Sequence, residues 1–222
     1  MKNIPLDIIA RPGFLIPPVM AGLYAGYWLN RGRRRHLKKR TGRSAFLNLY
    51  RTARNFAAML GRNRVEVKGS LEPLRSGGIL YSFHFGAWEL MPKVLSRLGF
   101  RIGVIANRYA DQPGFLARTA DRVLYRYRAQ PNVRVFYPGD GLKIARFLRS
   151  GGVFGVLVDG DMPYGKFDPV RRLGRLCGVP LVSFAVYREK GRSILDLGCD
   201  LNRLLRERPY EYLWAYRSRR SE

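Results

Sequence analysis

Apolar and polar positions alternate along this chain in short strand-like runs separated by helical stretches. From about Ser44 to Leu60 the apolar positions Leu47, Leu49, Tyr50, Ala53, Phe56, Ala57 and Leu60 recur at helical intervals, and Gly61 ends the pattern. That spacing predicts an amphipathic helix. A strand at Val65 to Lys68 follows, and after the Gly77-Gly78 break a buried strand runs from Ile79 to Phe83. Helical spacing over Trp88 to Leu98, a strand at Arg101 to Ala106 and a helix at about Phe115 to Arg126 come next. The pattern then gives a strand at Val133 to Phe136, a helix at Leu142 to Arg149, a strand at Val153 to Val158 and a helix at about Val170 to Cys177. Strands at Leu181 to Tyr187 and near Ser193 to Leu197, and a final strand or helix at Leu213 to Tyr216, complete the outline. Such alternation predicts an α/β fold, a mixed central sheet flanked by helices on both faces.

The N-terminus departs from this rhythm. Residues 12–30, PGFLIPPVMAGLYAGYWLN, carry no charge, and RGRRRHLKKR follows directly. The run is borderline for the roughly 20 apolar residues that a spanning helix needs, and Pro17-Pro18 would break or kink a helix near its start. A secretory signal would put its positive charges ahead of the apolar run rather than behind it. The expected role of residues 1–43 is a membrane-associating anchor with a basic segment on the cytoplasmic side. Residues 44–222 then form the α/β domain.

Charge adds a partner class. The chain of 222 residues has 41 Lys+Arg against 16 Asp+Glu, a net charge of +25, and 46% apolar residues. That suits a folded protein whose partner is polyanionic: nucleic acid, an anionic bilayer or an acidic protein. Cys177 and Cys199 form no CxxC pair and read as reduced core residues.

Two places combine strand ends with chemistry. In ILYSFHFGAWELMP, residues 79–92, His84 and Glu89 bracket a strand-to-helix turn that contains Gly86. Ends of strands are where α/β folds keep their chemistry. The pair fits a general base with its orienting carboxylate, two metal ligands, or a core histidine beside a helix-capping acid. In VLVDGDMPYG a continuous apolar strand ends in Asp159 and Asp161. These carboxylates fit an Asx-turn, an arginine-positioning site or, with His84, a Mg²⁺ or Mn²⁺ site. The chain contains neither a GxSxG elbow nor a Walker A sequence. Ser82 shares a face with His84 and reads as packing.

HFGAWEL from His84, NRYADQPG from Asn107, VDGDMPYG from Val158, GRLCGVPLVSFAVYREKGR from Gly174 and RPYEYLWAYRSRR from Arg208 occur in this order. Together they resemble the bacterial lipid A biosynthesis lauroyl/myristoyl acyltransferase family, within the lysophospholipid acyltransferases that carry an HX4D/E motif. The order of the blocks is more specific than any one of them. The resemblance implies a glycerolipid acyltransferase-like fold and an enzyme at the cytoplasmic face of the inner membrane. Such an enzyme moves an acyl chain from an acyl carrier protein or coenzyme A thioester to a glycolipid or lysolipid hydroxyl. It implies no cofactor beyond that cosubstrate, and anionic membrane lipid rather than nucleic acid as the surface partner. Carried onto this chain, it makes His84 the general base and Glu89 its partner. Arg108 becomes a binding residue for phosphate or pantetheine, and Asp159 with Asp161 a supporting site. Amides of the turn near Gly86 are expected at the oxyanion. The alternatives are a non-catalytic basic protein that binds membrane or nucleic acid, and a metal-dependent phosphoesterase. The chain departs from the family pattern after Gly165, where KFDPVRR leads straight into a helix, and between Leu197 and Pro209, which looks shortened.

Overall fold

A computed structural model describes residues 2–6, 45–60, 63–106, 125, 128–159 and 167–212. Its centre is a sheet of eight strands in the order β1-β2-β8-β7-β3-β6-β4-β5. In chain order these are β1 Lys2–Leu6, β2 Asn63–Lys68, β3 Gly78–Ser82, β4 Ile102–Ile105, β5 Val133–Phe136, β6 Val153–Leu157, β7 Leu181–Glu189 and β8 Arg192–Leu197. The seven strands from β2 onward form the mixed sheet that carries the site, and β1 adds an antiparallel edge to β2. The first residues of the segment expected as an anchor therefore pair with the domain. The apolar stretch at 12–30 lies outside the described residues, among which no helix is long and apolar enough to cross a membrane.

Among the described residues five α-helices are bounded beside the sheet: α1 Ala45–Leu60, α2 Leu90–Arg97, α3 Gly141–Arg149, α4 Asp168–Cys177 and α5 Leu201–Glu207. On one face Leu90, Met91, Val94 and Leu95 of α2 pack with Leu80, Val104 and Val153. On the other, Ile144, Phe147 and Leu148 of α3 meet Ile79 and Phe154, while Leu201 and Leu204 of α5 meet Phe83 and Val158. The helices do lie on both faces, as the alternation predicts. Inner strands covered on both sides must be apolar at nearly every position, which explains why GILYS and VFGVL read as unbroken runs.

Among the strands and α-helices with bounds given above, two have no counterpart in the sequence reading. One is β1. The other is α5, inside the stretch that looks shortened; Asp200 caps it by accepting the Arg203 N–H at 3.0 Å. The helix expected at 115–126 lies outside the described residues apart from Tyr125, and so does the element expected at 213–216.

Candidate active site

Strands β3 and β6 are parallel neighbours with Tyr81 opposite Val156 and Ser82 opposite Leu157. Carrying that register two residues further puts His84 opposite Asp159. Residues two apart on a strand share a face, and neighbouring strands are about 4.8 Å apart, so the two side chains leave the sheet edge side by side. Asp159 Oδ2 accepts the His84 backbone N–H at 2.8 Å, and Oδ1 lies 2.7 Å from His84 Nδ1. Asp159 is fully buried, whereas the His84 side chain keeps 23% of its surface. An ionised carboxylate only accepts, so Nδ1 carries the hydrogen and Nε2 of the neutral ring carries the lone pair. The Trp88 ring meets the imidazole edge-on with centroids 5.0 Å apart.

The backbone after β3 turns sharply. Phe85 N–H donates to the Phe83 carbonyl at 2.6 Å, a three-residue turn centred on His84. Gly86 then takes φ +62°, and a Cβ there would run into the Val186 carbonyl oxygen. Only glycine lets the chain pass this close to β7 in that conformation. Gly86 N–H donates to the Glu211 carbonyl at 2.8 Å and Ala87 N–H to the Val186 carbonyl at 2.9 Å. The amides of Phe85, Gly86 and Ala87 are thus committed to carbonyls. This corrects their expected role at an oxyanion, because a donor tied into the fold has no hydrogen to offer.

Glu89 opens α2 and is 8% exposed. Its carboxylate faces the Arg128 guanidinium in a two-pronged ion pair, with Nε to Oε2 at 3.0 Å and a terminal nitrogen on Oε1. The carboxylate on the His84 ring is therefore Asp159, from a segment 75 residues away, and Glu89 holds an arginine. No sequence pattern marks Arg128, which sits in the repetitive basic run YRYRAQP. Arg108 and Asp161 lie outside the described residues. Ser82 Oγ is buried and has no hydrogen-bond partner among the described residues.

Beyond the turn, the C-terminal one-turn helix Pro209–Glu211 sits against α1. Phe85 forms a bridge with Tyr212, and Gly86 with Val186. On the sheet face opposite α2, Tyr81, Phe83, Val158, Phe167, Ser183 and Leu201 are among the residues that line a cavity of about 350 Å³. Among the described residues no cluster of three His, Cys, Asp or Glu side chains is placed to hold a metal ion.

A scan against protein-family models finds no match for this chain, and no curated protein matches it either.

Proposed function

We propose that this protein is a membrane-associated O-acyltransferase similar to the lipid A biosynthesis lauroyl/myristoyl acyltransferases. It would move a fatty acyl chain from a carrier-protein or coenzyme A thioester to a hydroxyl of a glycolipid or lysolipid. The observation that carries the reading is the His84–Asp159 contact at the ends of two adjacent parallel strands, with Asp159 buried and the imidazole partly open. The ordered blocks from HFGAWEL to RPYEYLWAYRSRR support it, as does the net charge of +25, since carrier protein, bilayer and phosphorylated acceptor are all acidic.

In this reading Asp159 fixes the tautomer and His84 Nε2 takes the proton of the acceptor hydroxyl as its oxygen attacks the thioester carbonyl. A positioned base of this kind contributes about 10²- to 10⁴-fold. The C–O bond forms, the tetrahedral intermediate collapses, and the C–S bond breaks. The departing thiolate takes the proton back from the imidazolium, which Asp159 stabilises meanwhile. Glu89 acts one step removed, by starting α2 and holding Arg128 beside the site turn. Arg108 remains the proposed contact to an anionic part of donor or acceptor, and Asp161, with Asp159, the supporting site. The N-terminal apolar run and its basic flank would keep the protein on the cytoplasmic face of the inner membrane.

Mass spectrometry of lipids from cells with and without the gene tests the reading. One acyl chain should be missing without it and return with the wild-type chain but not with His84→Ala. Identical lipids in all three strains, or full acyl transfer by folded His84→Ala protein, would overturn it.

A further inference from the structure

The segment Arg208–Tyr212 lies between α1 and the turn that carries His84, and it is hydrogen-bonded to both. Toward α1, the Glu211 carboxylate is 4% exposed and receives three side chains of that helix. Arg51 and Arg54 reach Oε1 at 3.1 and 3.0 Å, and Asn55 reaches Oε2 at 2.7 Å. On either side of Glu211, the carbonyls of Tyr210 and Tyr212 accept the Asn48 amide at 3.1 and 3.0 Å. Toward the site, the Glu211 carbonyl accepts the Gly86 N–H at 2.8 Å, two residues from His84.

One residue thus ends two chains of contact: its side chain belongs to α1 and its main chain to the catalytic turn. We propose that Glu211 is a positioning residue through which α1 sets the geometry of the turn that aims His84. The proposal rests on the reading of His84 as the working base. Turn and clamp share a rigid link, because Phe85, between His84 and Gly86, is 1% exposed and bridged to Tyr212. Moving the Glu211 main chain therefore pulls on Gly86 from one side while β7 holds the turn from the other. A displacement of about 1 Å at a reacting group is enough to cost roughly 10²-fold in rate. Helix α1 also follows the apolar and basic N-terminal run directly in sequence. The clamp accordingly connects the His84 turn with the part of the chain expected at the membrane.

Several features distinguish this from packing. A buried carboxylate is costly unless its charge is matched, and here two guanidiniums and an amide converge on it from one helix. Burial above all, with the Arg51 and Arg188 charges beside it, draws the Arg54 guanidinium down from its ordinary value, and the Glu211 charge offsets only part of this. A hydrophobic residue at 211 would fill the space without that cost. It would not fix the height at which the Glu211 carbonyl meets Gly86.

The test uses the full-length chain in detergent and reads His84 by imidazole NMR, with the chain's two histidines told apart by His36→Gln. In Glu211→Ala the His84 Nδ1–H resonance should broaden through faster exchange, and the Gly86 amide should lose exchange protection. Glu211→Asp should fall between Glu211→Ala and wild type. With an acyl thioester, kcat should drop about tenfold or more while KM changes by less than about twofold. An unchanged His84 resonance and Gly86 protection in folded Glu211→Ala protein would overturn the proposal. If Glu211→Ala fails to fold, Arg51→Gln, which removes only the more exposed partner, should shift the His84 signal in the same direction by less; no shift would overturn it too. A wild-type protein inactive toward thioesters would count against the acyltransferase reading, while the His84 resonance would still decide the role of Glu211.

Discussion

Asp159 holds His84 twice, by its backbone N–H at 2.8 Å and by its ring at 2.7 Å, from the matching position on the neighbouring strand. The backbone contact fixes where the ring begins, and the side-chain contact fixes which nitrogen carries the hydrogen.

Asp159→Asn keeps the shape but turns one of the two acceptors into a donor. If the amide oxygen keeps the backbone contact, its NH2 faces Nδ1 and forces the hydrogen onto Nε2, the wrong tautomer for a base there. Initial rates of acyl transfer should fall by about 10²- to 10⁴-fold, and further than in Glu89→Gln. A larger loss in Glu89→Gln than in Asp159→Asn would reverse the assignment of the two carboxylates.

Arg128→Met should leave the Glu89 carboxylate nearly buried without its matched charge and cost about 3 kcal/mol of stability in urea unfolding. Glu89→Gln combined with Arg128→Met should recover part of that loss. Additive losses would mean that the pair is not coupled.

Gly86→Ala meets two obstacles, the left-handed φ of +62° and the Val186 carbonyl. Gly99 shares the first, at φ +90°, but opens into space. Gly99→Ala should therefore cost only about 1–2 kcal/mol of backbone strain, and Gly86→Ala clearly more. Equal urea midpoints for the two variants would contradict the close approach of the turn to β7.

Lys93 is 3% exposed on α2, and burial, reinforced by Arg97, pushes its ammonium down to about 8 from 10.5. Between those values the unfolded chain binds a proton that the folded chain has lost. Stability from this group therefore rises with pH across that window and is lowest below it. Urea titrations at several pH values should show a steeper rise for wild type than for Lys93→Met. Parallel curves would show that Lys93 does not titrate in the fold as its burial requires.

Much of the architecture follows from local pattern. GILYS and VFGVL are apolar at nearly every position because inner parallel strands have no wet face, and α3 shows its helical period because one side meets the sheet while the other meets water. His84 and Asp159 each stand out as the polar residue at the end of such a run. Their meeting does not follow from pattern. Spacing along the chain favours His84 with Glu89, five residues away, but pairing depends on which strands become neighbours and in what register. That is settled only when β3 lies against β6 and 75 residues of chain are brought together. The partners of Glu89 and Glu211 were hidden for the same reason. Arg128, Arg51 and Arg54 are ordinary members of a chain with 41 basic residues until folding removes the surrounding water and leaves each carboxylate a particular guanidinium. Local sequence sets which segments are buried and how they are built. The choice among many chemically equal partners belongs to the tertiary structure, because long-range contacts, unlike periodicity, leave no mark on neighbouring residues.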